Sequence, residues 1–365
     1  MVALEMSNVT NQAVRCLWRL CAGLLLLPAP SLSAQGFEPL TALPGAGRVL
    51  VVEHPGASVA FEPQAGPLKL MVELGIRQFT SSGSPREAWA SLVGSNEVVG
   101  IKVHSSPGKT SGTRPLVVEA VVQSLLQSGI PGGRIVIWDR RAEDLRLAGY
   151  PELANRLGVG ITSAVEAGYD EAHSYESPLL GRLVFGDLEF GRKGEGVGRR
   201  SHVTKLLTRR VDKVIQISPL LNHNVASVSG SLYGMAIGGV DNILRFDQNM
   251  DNLANAAPEI YALPQVGDKV ALHIVDALIC QYQGEERSLL HYSTQLRQLW
   301  FSKDPVALDL TALAELGKRR KESGAPAIPQ NLKLYENAAL LDLGVGDISR
   351  IQIEKLAIEP KTPGS

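Results

Sequence analysis

Two continuous apolar runs, Glu97-Val-Val-Gly-Ile-Lys-Val103 and Arg134-Ile-Val-Ile-Trp138, flank a helical pattern from Pro115 to Gln127 that stops at Gly129. A strand that is apolar throughout is buried on both faces, and two such strands joined by a helix form a parallel crossover. Parallel sheets need helices on both sides. This one unit therefore predicts an α/β fold: a mostly parallel or mixed sheet flanked by helices.

The rest of the chain repeats the grammar. Arg48 to Glu53 reads as a first strand, and Pro67 to Phe79 as an amphipathic helix with Leu68, Met71, Val72 and Ile76 at helical spacing. Ser84-Pro85-Arg86-Glu87 has the residues of a helix start, with Ser84 as cap and Pro85 in the first turn. Val211-Asp-Lys-Val-Ile-Gln-Ile217 is another buried strand, and Ser218 to Gly239 reads as a polar, glycine-rich loop. A helix over Asp251 to Tyr261, strands over Lys269 to Val275 and Leu296 to Phe301, helices over Pro305 to Lys318 and Gln330 to Leu341, and a strand over Arg350 to Leu356 complete the pattern. Between about 175 and 200 the pattern weakens into alternating, glycine-containing segments, which predicts a small β-rich insertion.

Arg15 and Arg19 precede the apolar Leu20 to Leu27, followed by Pro28-Ala-Pro30 and the small-residue exit Ser31-Leu-Ser-Ala34. This is the pattern of an export signal over 1–34, with cleavage after Ala34 or Ser33. The apolar run is shorter than the ~20 residues that span a bilayer. The expectation is an exported protein, periplasmic or extracellular, with no transmembrane segment in the mature chain. A single α/β domain over 35–359 and a frayed tail over 360–365 follow.

Cys16 and Cys21 fall in the signal, so Cys280 alone would remain after cleavage. One cysteine forms no intramolecular disulfide and builds no four-cysteine iron-sulfur site, so no cluster is expected. Lys plus Arg number 36 and Asp plus Glu 37, a net charge of -1 that gives no global field for nucleic acid. The basic residues Arg199, Arg200, Lys205, Arg209, Arg210 and Lys213 read as a solvated helical face, and few aromatics interleave with them.

Four blocks carry a family likeness: Val99-Gly-Ile-Lys-Val103; Val211 to Ile217 with His223 and its glycine-rich sequel; Ile274-Val-Asp-Ala-Leu278 with Tyr282 and Gly284; and Ser302-Lys-Asp-Pro-Val-Ala-Leu-Asp309 with Leu343-Gly-Val-Gly346. In this order and spacing the chain resembles the family called domain of unknown function 362. The resemblance implies an α/β domain, often in exported bacterial proteins and sometimes fused to ferredoxin-like iron-sulfur segments. It implies no established reaction. Relatives often carry lysine near the histidine matching His223 and a Lys-Asn pair before the next glycine. Here the residues are Leu220-Leu-Asn-His223 and Ser229-Gly-Ser-Leu-Tyr-Gly234, so any chemistry of those lysines does not carry over.

In an open α/β sheet, ligands bind beyond the C-terminal ends of the strands. His104, Asp139, His223, Asp276 and Asp304 all fall at or just after predicted strand ends, and Lys102 lies inside a strand. Buried, Lys102 needs a carboxylate partner or a shifted pKa. Asp139 could pair with Arg140 or Arg141, and Asp304 before Pro305 is suited to capping a helix. The loop His104 to Thr113 joins a strand to a helix N-terminus, a place that favours anions, although it lacks the glycine spacing of a P-loop.

Two functional classes fit. The first is an exported enzyme acting on a small polar or anionic substrate through Lys102, His104, His223 and Asp276. Lys102 and His104 would bind or polarise the substrate, while His223 and Asp276 would serve as the acid/base or divalent-metal pair. The second is a non-catalytic exported module that uses the same loops to bind a ligand or partner.

Overall fold

The crossover forms where the apolar runs placed it. In chain order the strands of the computed structural model are β1 (Gly47–Glu53), β2 (Ser58–Val59), β3 (Glu62–Pro63), β4 (Val99–Val103), β5 (Ile135–Asp139), β6 (Gly160–Ser163), β7 (Tyr169–Glu176), β8 (Arg200–Thr204), β9 (Lys213–His223), β10 (Ser227–Val228), β11 (Val270–Gln281), β12 (Ser293–Ser302) and β13 (Ile351–Ala357). β4 and β5 pair in parallel, with the helix Pro115–Gln127 between them. The structure describes residues 46–177 and 197–359, all within the unit Leu40–Ser365. The expected signal and tail, and most of the expected insertion, lie outside the described residues.

Nine strands form one mixed sheet in the order β13-β1-β12-β11-β9-β4-β5-β6, with β10 paired to β9. β12 runs antiparallel to both its neighbours, while the other pairs along this order are parallel. Alternation along the strands feeds two cores. Val99, Ile101 and Val103 join Leu68, Ile76, Trp89, Val121 and Leu125 on one face. Trp138, Val214 and Val275 join Leu232, Met235, Leu253, Ile260 and Leu310 on the other. β7 and β8 form a separate antiparallel pair that brackets the insertion region. The basic segment expected as a helix is instead β8, a π-helical turn over Leu206–Arg210, and the start of β9.

Ser218 to Gly239 is not a loop. β9 continues through Pro219 to His223, and Ser231–Gly239 is a buried helix. Proline interrupts a central strand because it has no N–H to donate, yet Pro219 sits where β11 bulges between Asp276 and Cys280, so the ladder is already broken there.

After β4 the chain steps outward through β5 and β6, then returns to place β9 on the opposite side of β4. That reversal opens a crevice at the C-terminal ends of β4 and β9, the topological switch point where open α/β sheets bind ligands.

Candidate functional site

Lys102 is 2 % exposed and points to the same sheet face as the helix Ser231–Gly239. A lysine removed from water must be paired. Its Nζ lies 2.8 Å from Asp139 Oδ1 at the end of β5 and donates to the Val103 carbonyl at 2.6 Å. The Trp138 ring lies beneath it, 5.6 Å from Nζ to the ring centroid. Asp139 is thus the carboxylate that Lys102 requires, and its ion pair is with this lysine rather than with the Arg140 or Arg141 guanidinium.

Asp139 has no acceptor capacity to spare. Oδ1 also accepts from Arg140 N at 2.8 Å, and Oδ2 accepts from both Ser105 N at 2.7 Å and Ser105 Oγ at 2.6 Å. Burial alone would raise its pKa, but the Lys102 charge, then His104, together with the bonds from Lys102 and Ser105, hold the carboxyl below its ordinary value.

His104 follows β4 directly, and its Nε2 lies 3.2 Å from Glu286 Oε1. Glu286 comes from the polar stretch between β11 and β12. Burial would raise its pKa, but the neighbouring His104, then Ser106 and His223, bring it down to about 2. Backbone bonds close the loop behind His104: its carbonyl accepts from Thr113 N at 2.9 Å, and its own N–H donates to Thr113 Oγ1 at 2.9 Å.

Lys102, His104, Ser106, Asp139 and Glu286 line a cavity of about 200 Å³ together with Arg140, Arg141, Asp144 and Asp247. Tyr233, Gly234, Ile237 and Gly238, from the buried helix, and Ile243 form its less polar side. Burial, then the Asp139 charge, raises Asp144. Both signs of charge face the space, so the arrangement suits a small polar molecule.

His223 lies beside the cavity, its ring centroid 4.3 Å from that of Tyr233, a lining residue. Nδ1 accepts from Ala226 N at 3.0 Å and Val225 N at 3.2 Å. Burial lowers its pKa to about 4, so the ring is neutral at physiological pH, and with Nδ1 accepting, the proton belongs on Nε2. His223 is therefore a hydrogen-bond donor in this state rather than a metal-ready lone pair.

Asp276 is elsewhere. It is fully buried at the β11 bulge, where Oδ2 accepts from Arg114 N at 3.0 Å, Oδ1 accepts from Leu278 N at 3.3 Å, and Arg114 NH1 lies 2.9 Å from Oδ1. Its carboxylate occupies the N-terminus of the helix Pro115–Gln127, the place that the sequence offered to an external anion. His223 and Asp276 share no hydrogen bond. Among the described residues, no group of three or more His, Cys, Asp or Glu side chains could hold a metal ion.

The switch-point crevice thus brings together Lys102 and His104, keeps His223 at its margin, and leaves Asp276 in a structural pair. Glu286 and Tyr233 went unseen in the sequence. Neither stands at a strand end, and each reaches the site only because its segment folds back over β4.

A sequence model of the family described as domain of unknown function (DUF362) matches residues 99–314, more than half of the 365-residue chain. The chain belongs to this family. The matched region includes β4 through β12 and so carries every residue that lines the cavity. A crystal structure of a Thermotoga maritima protein, determined by the Northeast Structural Genomics Consortium, is 13% identical, with 70% of this chain and 59% of that chain covered, at a TM-score of 0.39. Comparison with curated proteins gave no match. No helix among the described residues is long and apolar enough to cross a membrane.

Proposed function

We propose that the protein is an exported enzyme that binds a small polar ligand in the switch-point crevice and moves a proton on it through His104. The observation that carries this reading is the His104–Glu286 contact at the mouth of the cavity, 3.2 Å from Nε2 to Oε1. A carboxylate beside a histidine stabilises the imidazolium that forms when the histidine takes up a proton. Lys102 uses two donors on Asp139 and Val103, which leaves a third for the ligand. His223, as an Nε2–H donor, would complete the polar rim. Export rests on the sequence pattern over 1–34 and is checked by N-terminal sequencing of the mature protein.

The test is a thermal-shift screen of small acids and zwitterions on the full-length protein, followed by turnover measurements on each ligand that stabilises it. His104→Gln should retain binding and lose turnover, and Glu286→Gln should lower turnover with little change in affinity. Full turnover in both variants would overturn the assignment.

A second reading, a binding module without turnover, is favoured by one observation. The Ser105 hydroxyl donates to Asp139, whose acceptors are filled and whose carboxyl is held ionised, so these two groups form a fixed scaffold rather than a nucleophile and base. Saturable binding without turnover would select this reading.

A further inference from the structure

The helix Ser231–Gly239 forms one wall of the crevice, and its first turn is held from a distant part of the chain. Tyr233, Gly234, Ile237 and Gly238 face the cavity. A Cβ on Gly234 would lie 2.6 Å from Gln216 Nε2, and one on Gly238 would lie 2.3 Å from Lys102 Cε. The helix backbone therefore rests directly on two polar side chains that are register partners across β4 and β9.

Such a helix needs its leading amides satisfied, since they have no partner within the helix. The N-cap residue is Gly230, which has no side chain to supply. Asp309, on the helix Pro305–Glu322, supplies the cap instead. Its Oδ1 accepts from Ser231 N at 2.6 Å and its Oδ2 from Leu232 N at 3.0 Å. The fit depends on glycine at 230, because a Cβ there would lie 2.2 Å from Asp309 Oδ1. Gln216 Nε2 donates to the Gly230 carbonyl at 3.3 Å from below. Asp309 is 1% exposed, and burial pushes its carboxyl up to about 7 against the pull of the two amides. Capping is thus achieved at the cost of desolvating a carboxyl.

We propose that Asp309 is a positioning residue for the crevice: by capping the helix Ser231–Gly239 from outside, it fixes that wall against Lys102 and keeps the ammonium shielded. The importance of the wall rests on the proposed binding role, but its position can be measured without a ligand. Failure of one is therefore distinguishable from failure of the other.

Asp304 provides a matched control from the same sequence block. It caps its own helix at Ala307 N, 2.8 Å away, accepts from Val345 N at 2.9 Å, and does not line the cavity. The probe is reductive methylation of lysines with formaldehyde and a borane in the full-length protein, read at Lys102 by peptide mass spectrometry. Asp309→Ala should speed Lys102 labelling on the order of tenfold through local opening of the wall. Asp309→Asn, which keeps one acceptor oxygen, should give a smaller increase and serves if the alanine variant does not fold. Asp304→Asn should leave the Lys102 rate near that of the wild type. The proposal is overturned if the folded Asp309 variants label at the wild-type rate, or if Asp304→Asn accelerates labelling equally at a matched loss of Tm.

Discussion

Removing either member of the Arg114–Asp276 pair should destabilise the fold, and the two losses should be unequal. Both side chains are out of water, at 4% and 0% exposure. Breaking a buried pair by deleting one partner costs about 3–5 kcal/mol. In Arg114→Ala the orphaned carboxylate keeps two backbone donors, Arg114 N and Leu278 N, so the loss should fall near ~3 kcal/mol. In Asp276→Ala the guanidinium keeps the Thr110 carbonyl, while those two amides lose their acceptor, at about 1–3 kcal/mol each. The total should then exceed roughly 5 kcal/mol. Urea denaturation of both variants and of the Arg114→Met/Asp276→Leu double variant measures this directly. The double variant should be more stable than Asp276→Ala, because an apolar pair leaves no buried charge, but it keeps the cost of the two backbone amides that lose their acceptor. An Arg114→Ala loss equal to or larger than that of Asp276→Ala, or either loss below ~1 kcal/mol, would refute the reasoning.

Two further outcomes follow from the site. Glycine to alanine within a helix ordinarily gains up to ~1 kcal/mol, but Gly238→Ala should instead lower the Tm, because its Cβ would displace Lys102 from Asp139, an overpacking cost of about 1–3 kcal/mol; a raised Tm would mean that Lys102 is free to move. The His223 ring should show no NMR titration between pH 8 and about pH 6, since burial lowers its pKa to about 4 from 6.5. The unfolded chain then binds the extra proton first, so this histidine's contribution is complete above about pH 6.5 and is lost as pH falls towards 4. A midpoint near 6.5 would contradict its burial.

Local signals in the sequence carried the layers of this fold. The apolar runs of β4 and β5 required burial on both faces, and Asp304-Pro305 required a helix start, whatever lay elsewhere in the chain. What was not legible depends on distant partners. β9 passes through Pro219 only because β11 bulges beside it. Gly234 and Gly238 resemble loop residues by composition, yet they are small so that a helix can lie on Gln216 and Lys102. Lys102 announced its need for a carboxylate, but periodicity alone did not select Asp139. Asp276 looked free for chemistry because its partner, Arg114, is 162 residues away in the chain.

The place of β1 between β12 and β13 gives the order of synthesis a consequence for assembly. β1 is made long before its partners, for Leu50 pairs with Phe301 on one side and with Glu354 on the other. At ~5–20 residues per second the ribosome needs roughly 12–50 s to make the roughly 250 residues before the first of these partners. For that interval Arg48-Val-Leu-Val-Val-Glu53 is an adhesive, unpaired segment. A chaperone that binds short apolar stretches would find a target there.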